Sequence, residues 1–204
     1  MKNHRYKIIK LLLVFTIIII FACEAKQNIY FYVPEAKNNV NAQNKDGNTA
    51  LMYACRLSYV KDVQDLLIRG ADVNLISKED TTALEYACVG GNAKIVDMIA
   101  KAGGDVNRVN FGDMTPLILS SISDDAKVVQ VLLNNGAKVN HQDMNGDTAL
   151  IYAVRNRAYK TIKTLLKNGA IIGLKNNDGD TALDIAKWHR EEKIVSIFQD
   201  WQRR

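Results

Sequence analysis

Residues 44–74 read NKDGNTALMYACRLSYVKDVQDLLIRGADVN, and this stretch decides the fold because its landmarks return along the whole chain. Thr49-Ala50-Leu51 comes back as Thr82-Ala83-Leu84, Thr115-Pro116-Leu117, Thr148-Ala149-Leu150 and Thr181-Ala182-Leu183, each step being 33 residues. Val40-Asn41, Val73-Asn74, Val106-Asn107 and Val139-Asn140 keep the same step, and Gly70, Gly103, Gly136 and Gly169 each follow their Thr by 21. Self-similarity at a fixed period of this size, with no insertion or deletion, marks a stacked array of one supersecondary unit.

The chemistry inside a unit predicts two short helices. A Thr hydroxyl at each start can accept from the orphan backbone N–H groups of a helix, and Thr82-x-x-Glu85 is a capping box, with Thr181-x-x-Asp184 a shorter version. Pro116 follows Thr115 at the first helical position, where a missing N–H costs nothing. The glycines fall where a second helix ends in a left-handed residue, as in Asn135-Gly136 and Asn168-Gly169. Val63, Leu66 and Leu67, and Val128, Val129, Val131, Leu132 and Leu133, supply apolar stripes at helical spacing. Helices this short are marginal alone, so each unit must bury its stripe against its neighbours. The last unit mixes Glu191, Glu192, Lys193, Asp200, Arg203 and Arg204 with its apolar residues, as a polar terminal cap should.

Five in-phase units, with NKDGNTALMYACRLSYVKDVQDLLIRGADVN and its copies ending GGDVN, GAKVN and GAIIG, resemble the ankyrin repeat over residues 36–204. The resemblance implies an all-α solenoid of stacked helix-turn-helix repeats joined by β-hairpin-like fingers. It also implies a non-enzymatic protein–protein interaction module whose partner lies on the concave face of fingers and first helices. The family commonly opens a unit with Thr-Pro-Leu-His, the His tying neighbouring repeats through a polar network. Here that slot holds Met52, Glu85, Ile118, Ile151 and Asp184, so the network must be absent or rebuilt. The fingertip Gly of Gly47, Gly146 and Gly179 becomes Asp80 and Asp113 in the second and third units, which predicts differently shaped tips there.

Working outward, the 204 residues are 48% hydrophobic and 24% charged with 12 Gly and 2 Pro, which excludes a collagen-like, Pro-rich or wholly disordered polymer. Of the net charge of +5, four charges belong to Lys2, Arg5, Lys7 and Lys10, ahead of the first acid, Glu24; the rest is near neutral, so no nucleic-acid partner is expected. Behind that basic segment Leu11 to Ala22 reads LLLVFTIIIIFA, too short for a comfortable membrane span and right for the apolar region of a secretory signal. Ile20-Phe21-Ala22-Cys23 resembles a bacterial lipobox, with Phe21 a departure from its usual small or aliphatic residue. The expected organisation is a signal peptide over 1–22, a tether and N-terminal half-repeat cap over 23–43, and five repeats at 44–76, 77–109, 110–142, 143–175 and 176–204. Lipidation of Cys23 would place the protein in a bacterial envelope, membrane-anchored, periplasmic or at the cell surface. Cleavage near Ala25 and a retained anchor are the alternatives.

Ile29-Tyr-Phe-Tyr-Val33 before Pro34 reads as a cap laid over the first repeat, or else as a partner-binding strand. The sequence has no HExxH, Gly-x-Ser-x-Gly or phosphate-binding loop, and no catalytic residue, cofactor or metal is expected. Asp143-Met-Asn-Gly-Asp147 and Asn176-Asn-Asp-Gly-Asp180 lack the distal Glu of a calcium loop and read as polar turns. Cys55 and Cys88 occupy one slot in adjacent repeats, where stacked helices stand too far apart for an unstrained disulfide, so buried thiols are expected.

Among the variable slots of the concave face, Phe111, Met114, Met144, Arg155 and Trp188 are the residue types that carry interface energy and are the expected partner contacts. Trp188 has a competing role in closing the last core. The basic run Arg155, Arg157, Lys160, Lys163 and Lys167 reads as a solvated helix face, or as a surface for an acidic partner or anionic headgroups. A monomer with one protein partner is expected. A structural or protective role for a periplasmic enzyme, or an effector acting on a host protein, stays open.

Overall fold

The computed structural model describes residues 32–203. The apolar run over 11–22 and Cys23 lie outside the described residues. Among the described residues ten α-helices form five pairs: α1 (Ala50–Arg56) and α2 (Val60–Ile68), α3 (Ala83–Val89) and α4 (Ala93–Lys101), α5 (Pro116–Ser121) and α6 (Ala126–Asn134), α7 (Ala149–Arg155) and α8 (Tyr159–Lys167), α9 (Ala182–Trp188) and α10 (Glu192–Gln202). First helices stack on first helices and second on second, giving the two layers of an all-α solenoid.

Each first helix starts where the Thr pattern places it. Thr49, Thr82, Thr115, Thr148 and Thr181 accept from the backbone N–H three residues on, and the Glu85 and Asp184 side chains return the bond to their Thr N–H. Second helices are capped less uniformly. Asn92 and Asp125 cap α4 and α6 themselves, whereas Ala158 cannot cap α8. There the preceding unit substitutes: Asp124 Oδ1 accepts from Lys160 N at 2.7 Å and Thr161 N at 3.2 Å. A cap borrowed from a neighbour makes α8 depend on the stack.

Burial follows the same period. Leu66, Ile99, Leu132, Leu165 and Phe198, one per unit, are fully buried. Phe198, the bulkiest of them, closes the C-terminal end. At the other end a short 3-10 helix, Pro34–Lys37, lays Val33 and Ala36 into the core while Tyr32 stacks on Tyr53 with ring centroids 4.6 Å apart. Residues 32–37 therefore act as the expected cap, whereas 29–31 lie outside the described residues.

The recurring Asn is a staple between units. Asn74, Asn107 and Asn140 each accept from a backbone N–H 31 residues on, and each donates to the carbonyl of Gly103, Gly136 or Gly169 at 3.0 Å. Asn41 makes the first half of the same contact with Asp72 N. Gly173 takes this slot in the fourth unit, so no such side-chain staple joins the fourth unit to the fifth.

Candidate functional site

The fingers are built by one side chain each. At the root of every finger an oxygen of Asn44, Ser77, Asn110, Asp143 or Asn176 accepts from the backbone N–H groups two and four residues later, folding the turn around a single acceptor. Antiparallel bridges pair Gln43 with Thr49 and Gln142 with Thr148 at two of the roots. Adjacent fingers are joined at Lys78 N to the Asp46 carbonyl and Asn177 N to the Asn145 carbonyl, and more loosely at Met144 N to the Gly112 carbonyl.

The expected difference in shape at Asp80 and Asp113 is not found. Both adopt the left-handed conformation of Gly47, Gly146 and Gly179, at φ 57° and 54°, and their N–H groups donate to the root carbonyl three residues back as the glycines do. Asp tolerates this region better than most residues, through local hydrogen bonding of its short side chain. In those two units a side chain of the following finger bonds the tip residue itself. Arg108 donates to the Asp80 carbonyl and pairs with its carboxylate, and His141 Nε2 donates to the Asp113 carbonyl at 2.8 Å. Where the tip is Gly47 or Gly146, the same slot of the next finger holds Leu75 or Leu174.

Two polar networks lie under the fingers. In the second unit Glu85, 1% exposed, takes Thr82 N, the Thr82 hydroxyl and Arg108 Nη1 on Oε2. Burial raises its carboxyl above the usual range, opposed by the Thr82 bonds and the Arg108 charge. In the fourth unit Asp147 pairs with Arg155 and accepts from Asn176, and Asp143 accepts from the Tyr152 hydroxyl at 2.8 Å. Burial first and Asp143 second hold the Tyr152 hydroxyl protonated far above its ordinary range. Among the described residues no three His, Cys, Asp or Glu side chains gather as a metal site requires. No described helix is long and apolar enough to cross a membrane.

With capped helix pairs, finger roots and staples all repeating in register, a comparison by sequence agrees with the geometry: a family model described as ankyrin repeats (3 copies) matches residues 1–110, 61–143 and 117–200. The chain belongs to the ankyrin-repeat family. No curated protein matches it.

In ankyrin terms the missing His network is rebuilt only in the second repeat, by Glu85 with Arg108. The expected contact residues separate into two kinds. Phe111 and Met144 share one slot in neighbouring fingers and are 84% and 54% exposed, while Trp188, at 78%, projects from the end of α9 and stacks on His189. Trp188 therefore does not close the core. Met114 packs partly against the core, and Arg155 is tied to Asp147. Sequence reasoning passed over Tyr53 and Tyr86, and it placed Asn48 and Arg56 among the variable slots of the concave face without counting them as contacts. The phase of the tyrosines on the first helices, together with an Arg three residues after the first of them, was the available signal.

Proposed function

We propose that this ankyrin array is a non-enzymatic binding module that holds a protein partner on its concave face, with Phe111 and Met144 as anchors and Trp188 at the C-terminal margin. The observation that carries the reading is the pair of large apolar side chains standing in solvent at one slot of two adjacent fingers, where the other fingers hold Lys45, Lys78 and Asn177. Exposed Phe and Met contribute nothing to the stack, and such side chains are enriched at the desolvated centres of interfaces. The polar turns around them leave an anchor's surroundings able to exclude water once covered.

Export and lipid anchoring complete the proposal. They rest on the basic segment, the apolar run of residues 11–22 and Cys23, which together would fix the array to a bacterial envelope membrane. Crosslinking on intact cells followed by mass spectrometry tests the module directly. A stoichiometric protein crosslinked to the third and fourth fingers is expected, and crosslinks confined to the second helices would overturn the concave face. Intact mass of the membrane fraction tests the anchor, which requires a chain beginning at Cys23 with added acyl mass.

A further inference from the structure

We propose that the concave face of the first two repeats is a pocket for a carboxylate-bearing peptide segment of the partner, with the Arg56 guanidinium as its receptor. The inference rests on the concave-face reading above and adds the chemistry of what is bound there.

Arg56, the last residue of α1, lies over Tyr53 at 5.2 Å and Tyr86 at 5.8 Å from the ring centroids. It is half-buried, yet it makes no hydrogen bond or ion pair with any described residue. The fourth repeat shows what this slot does when it is satisfied. Arg155 stands 99 residues later at the same position, and it pairs with Asp147. The slot of Asp147 in the first repeat is Asn48, which is 8% exposed, and its Oδ1 is the one buried side-chain oxygen or nitrogen without a hydrogen bond among the described residues. An internal counter-ion has thus been replaced by a neutral amide. Arg56 keeps its five donors in a planar fork between two aromatic faces, the geometry that receives a carboxylate on two parallel bonds.

The exposed finger charges on this side balance, Lys45 and Lys78 against Asp46 and Glu79, so the positive charge of the pocket is that of Arg56 itself. Glu79, at the second fingertip, is close enough to act on the Tyr86 hydroxyl but makes no bond to Arg56. An Asp or Glu side chain entering between the tyrosines meets a charge that no described residue pairs with. A peptide is favoured over a lipid headgroup because the receptor sits in the groove of fingers and first helices, walled by rings.

The test is selection of a displayed random dodecapeptide library on the full chain, with clones measured against Arg56→Gln, Asn48→Asp, Arg155→Gln and Phe111→Ala. Asn48→Asp restores the counter-ion found in the fourth repeat, so it should keep the fold while closing the receptor. Expected are clones that share an Asp or Glu, lose binding about tenfold or more on Arg56→Gln and on Asn48→Asp, and are unchanged on Arg155→Gln. Clones without a shared acid, clones indifferent to both Arg56→Gln and Asn48→Asp, or no clones at all would overturn the pocket. Loss on Phe111→Ala with no loss on Arg56→Gln overturns the pocket and leaves the concave-face reading standing; indifference to both overturns the two together. Arg56-dependent binding of anionic vesicles with no acidic peptide selected would reassign the receptor to lipid.

Discussion

Arg108 leads into the third finger yet bonds back to the start of its own repeat, donating from one nitrogen to the Asp80 carbonyl and to Glu85 Oε2, each at 3.1 Å. One cation thereby holds a strained fingertip and neutralises a buried carboxylate from the far end of the repeat. Removing it strands Glu85, and an uncompensated buried charge costs about 3–5 kcal/mol. Arg108→Met should lower the urea midpoint accordingly, and Glu85→Leu added to it should recover much of the loss. The sign of the pH effect follows from the raised Glu85 carboxyl. Between its unfolded and folded pKa values the folded chain holds the extra proton, so this group's contribution is full below the unfolded value and is lost as pH rises through the folded one. Stability of Arg108→Met should fall more steeply above about pH 4.5 than that of wild type. In Glu85→Gln that fall should be smaller.

The two Asp fingertips should respond differently to glycine. Left-handed backbone at a non-glycine residue costs roughly 1–2 kcal/mol at most, less for Asp. At Asp113 the supporting contact from His141 is to the backbone carbonyl and survives the change. Asp113→Gly should therefore raise the melting temperature. Asp80→Gly removes the carboxylate that pairs with Arg108, so the relief is offset and the melt should not rise.

Two fingertip glycines with nearly equal backbone angles make a complementary pair. A Cβ on Gly146, at φ 73°, would stand 2.8 Å from Asn177 N in the next finger, whereas one on Gly179, at φ 83°, would meet nothing within 4 Å. Gly179→Ala should cost only the left-handed penalty, on the order of 1 kcal/mol. Gly146→Ala must also push neighbouring fingers apart, and its melting temperature should fall clearly further.

The period, the helix starts and the terminal cap were legible because each depends on residues close in sequence: a Thr and the N–H three residues on, or a Leu one helical turn from the next. What stayed hidden depends on pairs about one or more repeats apart. Asp124 capping α8, Arg108 relieving Asp80 and the contrast between Asn48 and Asp147 all require knowing which slots face each other once the units are stacked. The tip substitutions were misread for the same reason. Asp80 and Asp113 look like departures in isolation, and only the next finger shows that the turn is kept.

Cys55 and Cys88 are free and buried, as their shared slot implied. Burial pushes both thiols up, Cys88 to about 12 against a hydrogen bond with Ser120 that pulls it down, and Cys55 higher still. The thiolate is the reactive form, so both should be nearly inert at neutral pH. Aromatic disulfide reagents should label neither within the native protein and both on unfolding in urea. Rapid native labelling, or a Cys55–Cys88 crosslinked peptide, would place these helices closer together or more open than described.

Binding and folding should come apart on the concave face. Phe111, Met144 and Trp188 are all exposed, so truncating any of them to Ala should leave the melting temperature within about 2 °C of wild type, as surface changes of half a kcal/mol or less do. Each should nonetheless weaken partner capture, by about 1–2 kcal/mol, or more at a hot spot. Trp188 is the most discriminating of the three. A core tryptophan would cost about 3–5 kcal/mol of stability on truncation, whereas one that only stacks on His189 should melt almost as wild type. Calorimetry of Trp188→Ala beside a capture assay separates the two roles. A folded Phe111→Ala, Met144→Ala double variant with undiminished capture would move the interface off these fingers and make the basic second helix of the fourth repeat, where Lys160, Lys163 and Lys167 face solvent, the next surface to test.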